Sequence, residues 1–273
     1  MCHSPEALPP KAAREGFLLE SRRTVLETSD GGLAPAFLAK TLPGPTSART
    51  DVEREGVSQP VVYRAESSPS RPGVVILPDQ RGLHWFYERL AENFADAGIA
   101  AVAVDFYHRT AGTAFRGDDF DFAPHRGEVT TEHLVADADA GAAALRSEGV
   151  DRVYALGFCF GGRGALLQAV EPGWAGVVAF YGFPTRESGD GRSPISDAHK
   201  GNVRCPVLGL FGAEDDSVGR DAPHEYQAAL AEAGVQHEVA IYPGAGHSFF
   251  DRKMAEQGEN CQDAWRRILE FVV

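Results

Sequence analysis

One short stretch of the chain has the residue types and spacing of a reaction centre. Gly157-Phe158-Cys159-Phe160-Gly161-Gly162 follows the apolar run 153–156 and fits the pattern glycine, any residue, nucleophile, any residue, glycine, with cysteine as the nucleophile. A nucleophile shown on a sharp strand-to-helix turn sits in a strained backbone conformation. Side chains two residues to either side would collide with that turn, so both places call for glycine. The helix that follows aims its free N–H groups and the positive end of its dipole at the sulfur, favouring thiolate and later an oxyanion. Cys159 is therefore the candidate nucleophile, and the plain alternative is a buried cysteine beside a glycine-rich turn. Two other uses of these glycines fail. A dinucleotide fingerprint needs glycine where Cys159 stands, and a phosphate loop needs Lys then Ser or Thr after Gly162, where the chain has Arg163-Gly164.

A cysteine nucleophile needs a base, and the base needs a carboxylate to orient it. Asp215 lies in Gly212-Ala213-Glu214-Asp215-Asp216 after the apolar run 207–211, and His247 lies in Gly244-Ala245-Gly246-His247-Ser248 after the run 238–242. Both loops leave the carboxyl ends of β-like runs, where open-sheet sites form. The other eight histidines lack this pairing of a preceding strand with a glycine-rich loop. Nucleophile, acid, histidine is also the chain order of the α/β-hydrolase fold.

Such residues must be held by strands and helices, and the patterning supplies them. Short β-like runs are predicted at 24–26, 36–38 and 61–64. From Gly73 onward buried-strand runs at 74–77, 100–104, 153–156, 177–180, 207–211 and 238–242 alternate with helical patterns. One helix carries Phe86, Leu90 and Phe94 with Gly98 as its stop. Another, from Thr131, carries Leu134, Ala138, Ala142 and Leu145 and closes at Gly149. A third opens at Asp221 and Pro223, and a last one runs from Asp263 to the end. The expectation is an α/β fold with a mostly parallel central sheet flanked by helices on both faces. Residues 1–16 read as a surface arm, 43–60 as a long loop, and 17–273 as a single domain.

Composition narrows the function classes. The 273 residues are 43% hydrophobic and 24% charged, an ordinary globular balance. With 26 basic against 39 acidic residues the formal charge is −13, so nucleic acid and anionic membrane are poor partners. A small anionic substrate is compatible with that field where arginines line the pocket. No apolar run approaches the roughly 20 residues of a membrane helix, and the N-terminal residues lack the layout of a secretory signal. Cys2, Cys159, Cys205 and Cys261 are scattered without a CxxC pair, which points to a reducing cytoplasm rather than a disulfide framework. No metal or other cofactor is expected: HExxH is absent, Asp118-Asp119-Phe120-Asp121 lacks the glycine and distal Glu of a calcium loop, and Cys2-His3 reads as incidental.

The segments around Cys159, Asp215 and His247 resemble the dienelactone hydrolase family, a cysteine branch of the α/β hydrolases, and the resemblance runs from about residue 73 to the C-terminus. It implies Cys159 as nucleophile, His247 as base and Asp215 as the group orienting the imidazole. In Leu77-Pro78-Asp79-Gln80-Arg81-Gly82 it places Asp79 where the family carries a Glu that handles the thiol proton. The N–H groups of Gln80 and Phe160 are the expected oxyanion hole. Asp105-Phe106-Tyr107-His108-Arg109 resembles the segment whose Arg binds a substrate carboxylate, making Arg109 a candidate anchor, with a surface salt bridge as the alternative. Where the family has an Arg four residues past the histidine, this chain has Asp251, so Arg252 and Arg81 become further candidate anchors. The function so implied is hydrolysis of a small ester or lactone through a cysteine acyl-enzyme, without a cofactor. A thioesterase or acyltransferase with the same triad, and a non-catalytic binder of small acids, are the rivals; monomer and dimer both remain open.

Overall fold

A computed structural model describes residues 18–42, 71–117, 119–189 and 191–273. The expected arm at 1–16, the loop at 43–60, the run at 61–64, the Cys2-His3 pair and Asp118 lie outside the described residues. The strands are β1 (Leu18–Glu27), β2 (Leu33–Leu42), β3 (Pro72–Leu77), β4 (Ala100–Val104), β5 (Arg152–Phe158), β6 (Gly176–Phe180), β7 (Val207–Gly212) and β8 (His237–Tyr242). They form one sheet in the order β1-β2-β4-β3-β5-β6-β7-β8. β1 and β2 are antiparallel, β2 meets β4 antiparallel, and every pairing from β4 to β8 is parallel.

The short runs expected at 24–26 and 36–38 are the middles of two ten-residue strands. Glu20, Arg22, Arg23 and Lys40 mask their extent, because the edge strand β1 is largely exposed and these charged side chains form ion pairs beside it. The inner parallel strands β3 to β7 read as unbroken apolar runs for the opposite reason, since both of their faces are buried, whereas the edge strand β8 is only partly covered. Val74 and Ile76 point to a core closed by α1 (Trp85–Asp96) and α8 (Gly258–Val272). Val75 and Leu77 point to the other face, closed by α4 (Thr131–Ser147), α5 (Phe160–Gln168) and α7 (Ala222–Glu232). One residue of register thus selects the layer, the period-two rule of a pleated sheet. Within the irregular connection 105–131 lie two single turns, α2 (His108–Ala111) and α3 (Ala123–Arg126), and α6 (Pro194–His199) precedes β7.

Helix faces follow the predicted spacing. Phe86, Leu90 and Phe94 are buried on α1, as are Leu134, Ala138, Ala142 and Leu145 on α4. Thr130 caps α4 by accepting from the His133 N–H at 3.2 Å. The last helix starts at Gly258 rather than Asp263, because burial of Cys261 beside Ala264 and Trp265 extends it past its weak glycine start. Among the described residues no helix is long and apolar enough to cross a membrane.

The strand order sets where a ligand can enter. β3 has β4 on one side and β5 on the other, so the connections leaving β3 and β5 diverge. A crevice opens at the carboxyl ends of strands where the order reverses in this way. The turn carrying Gln80 leaves β3 there, and the turn carrying Cys159 leaves β5.

Candidate active site

Cys159 stands between β5 and α5 at φ 53° and ψ −110°, a left-handed conformation that side chains avoid. Strain of this kind costs about 1–3 kcal/mol and persists where neighbours over-determine it. The Cys159 N–H donates to the Phe180 carbonyl and its carbonyl accepts from the Arg163 N–H, both at 3.0 Å. The flanking glycines are obligatory. A Cβ on Gly157 would lie 1.9 Å from the Gly161 oxygen, and one on Gly161 would lie 2.1 Å from the Pro78 oxygen. The second contact presses the elbow against the turn after β3.

His247 and Asp215 arrive from the loops after β8 and β7. His247 Nδ1 donates to Asp215 Oδ2 at 2.8 Å, and Asp215 Oδ1 accepts from the N–H groups of Ser217 and Val218 at 2.9 and 3.1 Å. Asp215 is buried, whereas Glu214 and Asp216 are exposed and Asp216 pairs with Arg220. Only Asp215 of the three acids therefore reaches the imidazole. His247 shares its cavity with Cys159, whose sulfur favours the charged imidazole, while the rings of Tyr181 and Phe183 lie 5.0 and 5.8 Å from it. Burial works against a charged imidazole here, but the hydrogen bonds to Asp215 and Cys159 outweigh it, and His247 is pushed up to about 9.

The turn after β3 completes the site. The Gly82 N–H donates to the Asp79 carbonyl at 3.0 Å, with Gly82 at φ 78°. Neither the Gln80 nor the Phe160 N–H has an acceptor among the described residues. Both residues line a cavity of about 460 Å³ together with Cys159, His247, Phe183, Ser217, Arg126 and Arg186. Arg126 donates to the Gln80 side-chain oxygen at 2.6 Å, and the Arg186 guanidinium lies 3.6 Å over the Phe183 ring.

Three expected arginines are elsewhere. Arg109 does not line the cavity. It reaches Asp30 at 2.7 Å and Asp137 at 2.9 Å, so the alternative of a salt bridge holds and the carboxylate anchor is corrected. Asp137 is buried and also meets His108 at 2.9 Å, and a buried carboxylate claims a cation within reach before a ligand can. Arg252 is exposed, and its backbone N–H donates to Asp251 Oδ1 at 2.6 Å and to the Ser248 carbonyl at 3.1 Å. Arg81 is turned away from the cavity onto two carboxylates, forking onto Asp79 and reaching Asp251 at 3.3 Å. Asp79 is thus held by Arg81, and no hydrogen bond joins it to the Cys159 sulfur. Burial opposes its charge, but Arg81 keeps its carboxyl down at about 2, whereas burial and the charge of Asp79 push Asp251 up to about 7. One cation thus serves two acids, and Asp251 is the one whose ionised form is disfavoured.

The arginines that line the cavity are Arg126 and Arg186 instead. No sequence signal marked them, because α3 and the 181–193 connection carry neither periodicity nor motif. The displaced Arg109 supplies a prediction. Arg109→Ala is expected to lower the melting temperature and leave KM unchanged for acidic and neutral esters alike, measured by thermal unfolding and steady-state kinetics. A selective rise in KM for acidic esters would return Arg109 to substrate binding.

Comparison with known proteins agrees with this fold. The dienelactone hydrolase family model matches residues 60–273. A protein of Escherichia coli K12, provisionally named carboxymethylenebutenolidase, is 27% identical over 263 residues, covering 91% of this chain and 90% of its own. A crystal structure from Klebsiella pneumoniae, provisionally named a dienelactone hydrolase, superposes with a TM-score of 0.74 at 25% identity, over 93% of this chain and 98% of the other. A dienelactone hydrolase-like promiscuous phosphotriesterase from metagenomic libraries shares the fold, with a TM-score of 0.67 at 23% identity, over 93% and 97% of the two chains.

Proposed function

Because the chain belongs to the dienelactone hydrolase family, we propose that this hydrolase cleaves a small carboxylate-bearing ester or lactone through a thioester on Cys159. The observation that carries the reading is the relay Asp215–His247–Cys159 opening on a cavity that also holds Arg126 and Arg186. In the first half-reaction the Cys159 thiolate bonds to the carbonyl carbon and the carbonyl electron pair moves to oxygen. That oxyanion accepts from the N–H groups of Gln80 and Phe160. Collapse breaks the C–O bond, and the leaving alkoxide takes the proton held by His247; in a lactone it stays tethered as the new hydroxyl. In the second half-reaction His247 removes a proton from water as the water oxygen bonds to the thioester carbon. Collapse then expels the Cys159 thiolate and frees the acid.

The relay explains how one imidazole serves both halves. The contacts that hold His247 near 9 include the sulfur. Acylation removes the sulfur's negative charge and its hydrogen-bonding capacity, so the imidazole gives up its proton more readily and becomes the base that water needs. The direct test is mass spectrometry of the protein quenched during turnover of an activated acetate ester. An acetyl group on Cys159 is expected, with a burst of nitrophenol, and turnover without that adduct would overturn the thioester.

The two arginines give the carboxylate preference. Both are exposed, so each contributes the lesser end of a charge-assisted hydrogen bond. Arg186→Ala and Arg126→Ala are each expected to raise KM for acidic esters about tenfold, with neutral esters changed far less. Equal losses on both substrate types would remove the anion-binding role.

A further inference from the structure

We infer that Tyr107 is a positioning residue whose hydroxyl, donating to the Gln80 carbonyl, holds the turn that presents the Gln80 N–H to the reacting oxygen. The inference rests on the cysteine-hydrolase reading above. It starts from a weakness of the oxyanion site. One of its two donors, Phe160, is the first residue of a helix. The other belongs to a four-residue turn, Asp79 to Gly82, closed by a single backbone hydrogen bond. A turn closed by one hydrogen bond can loosen at its central peptide, between Gln80 and Arg81, unless other groups hold it. The Gln80 N–H lies in the preceding peptide, whose carbonyl is the Asp79 oxygen that accepts from Gly82, so a shift of the central peptide moves the Gln80 backbone and re-aims that N–H.

Each peptide beside the Gln80 N–H is pinned by a group from outside the turn or by the turn's own carboxylate. Ahead of it, the Asp79 N–H donates to the Tyr87 hydroxyl at 2.9 Å. Behind it, Tyr107 donates to the Gln80 carbonyl at 2.6 Å, and the Arg81 N–H of the same peptide donates to Asp79 Oδ1 at 2.8 Å. The central peptide is therefore held at both ends. Tyr107 is itself immobile. It is fully buried, its ring lies 4.7 Å from Phe106 and 5.6 Å from Phe120, and its N–H donates to Asp105. Asp105 also accepts from the Leu83 N–H at 3.1 Å, which ties the end of β4 to the far side of the turn. Burial pushes the Tyr107 phenol well above its ordinary value, so the hydroxyl keeps its proton and remains a donor. Tyr87 sits inside the main core, whereas the Tyr107 hydroxyl reaches the turn from the connection after β4; its loss would release the carbonyl end of the central peptide without opening that core.

Tyr107→Phe keeps the ring and removes the one oxygen. For activated esters kcat is expected to fall about tenfold, with KM within about twofold of the parent, since a misaimed donor weakens only the state that carries negative charge. A trifluoromethyl ketone, which adds the Cys159 thiolate and places an oxyanion in the same position, should lose affinity by the same factor. Alkylation of Cys159 by iodoacetamide forms no oxyanion and should keep its rate and pH profile. Retained kcat, retained ketone affinity, or alkylation that falls in step with kcat would each overturn the positioning role. A parent protein that forms no adduct with the ketone at Cys159 would instead refute the cysteine-hydrolase reading itself.

Discussion

Cys159→Ala is expected to lower ester turnover by about 10⁴-fold or more while unfolding within a few degrees of the parent. The side chain is half-buried and its sulfur lies against His247, so removing it empties the reaction centre without opening the main core. Alanine takes the same strained backbone at little added cost, because Cys159 is already held there by hydrogen bonds to Phe180 and Arg163. No other described thiol can stand in. Cys205 and Cys261 are buried, and burial pushes their thiols up to about 11 and about 12, with the charge of Asp251 adding to the second. The variant should also report on His247. With the sulfur gone, one of the contacts that offset burial disappears, so the imidazole titrates below the value of about 9 it has in the parent. Steady-state kinetics and NMR titration of His247 make the two measurements. Turnover above about one percent of the parent would place the nucleophile elsewhere.

Arg81→Met should have the largest effect on stability, a loss of about 3–5 kcal/mol at pH 8, set against a typical total of about 5–15 kcal/mol. Methionine fills much of the volume but leaves Asp79 and Asp251 buried together with no cation between them. The sign of its pH dependence follows from the parent. Asp79 is held below its ordinary 3.8, so its contribution is present above that value and lost as pH falls through about 2. Asp251 is held above 3.8, so the fold binds its proton more tightly than the unfolded chain does, and stability declines as pH rises from 3.8 through about 7. Without Arg81 both carboxylates resist ionisation. The deficit of the variant is therefore larger at pH 8 than at pH 5, where protonation relieves the repulsion. Urea unfolding at the two pH values measures it. A deficit under about 1 kcal/mol, or one equal at both, would show that the buried triad is compensated by other groups.

Much of this architecture was legible because its signals are local. The nucleophile turn needs Gly157 and Gly161 on steric grounds that hold wherever such a turn occurs, and the distances to Gly161 and Pro78 give the same reason in three dimensions. The parallel strands declare themselves because sheet residues buried on both faces must be apolar at every position. The loops bearing Asp215 and His247 follow those strands directly, so chain order was enough to pair them with Cys159.

The arginines were not legible in the same way. Arg109 follows a motif-like segment, but its direction is decided by Asp30 in the hairpin turn and Asp137 on α4. Arg81 is bound as much by Asp251, far along the chain, as by its neighbour Asp79. Arg126 and Arg186 enter the cavity from irregular segments whose course depends on what packs beneath them. The sequence by itself determined the parallel strands, the elbow turn and the chain order that brings Asp215 and His247 to the side of Cys159, because sterics and strand burial act over a few residues. Only the tertiary structure decided which cations line the cavity, because charge pairing depends on distance through space and on which carboxylate has been stripped of water.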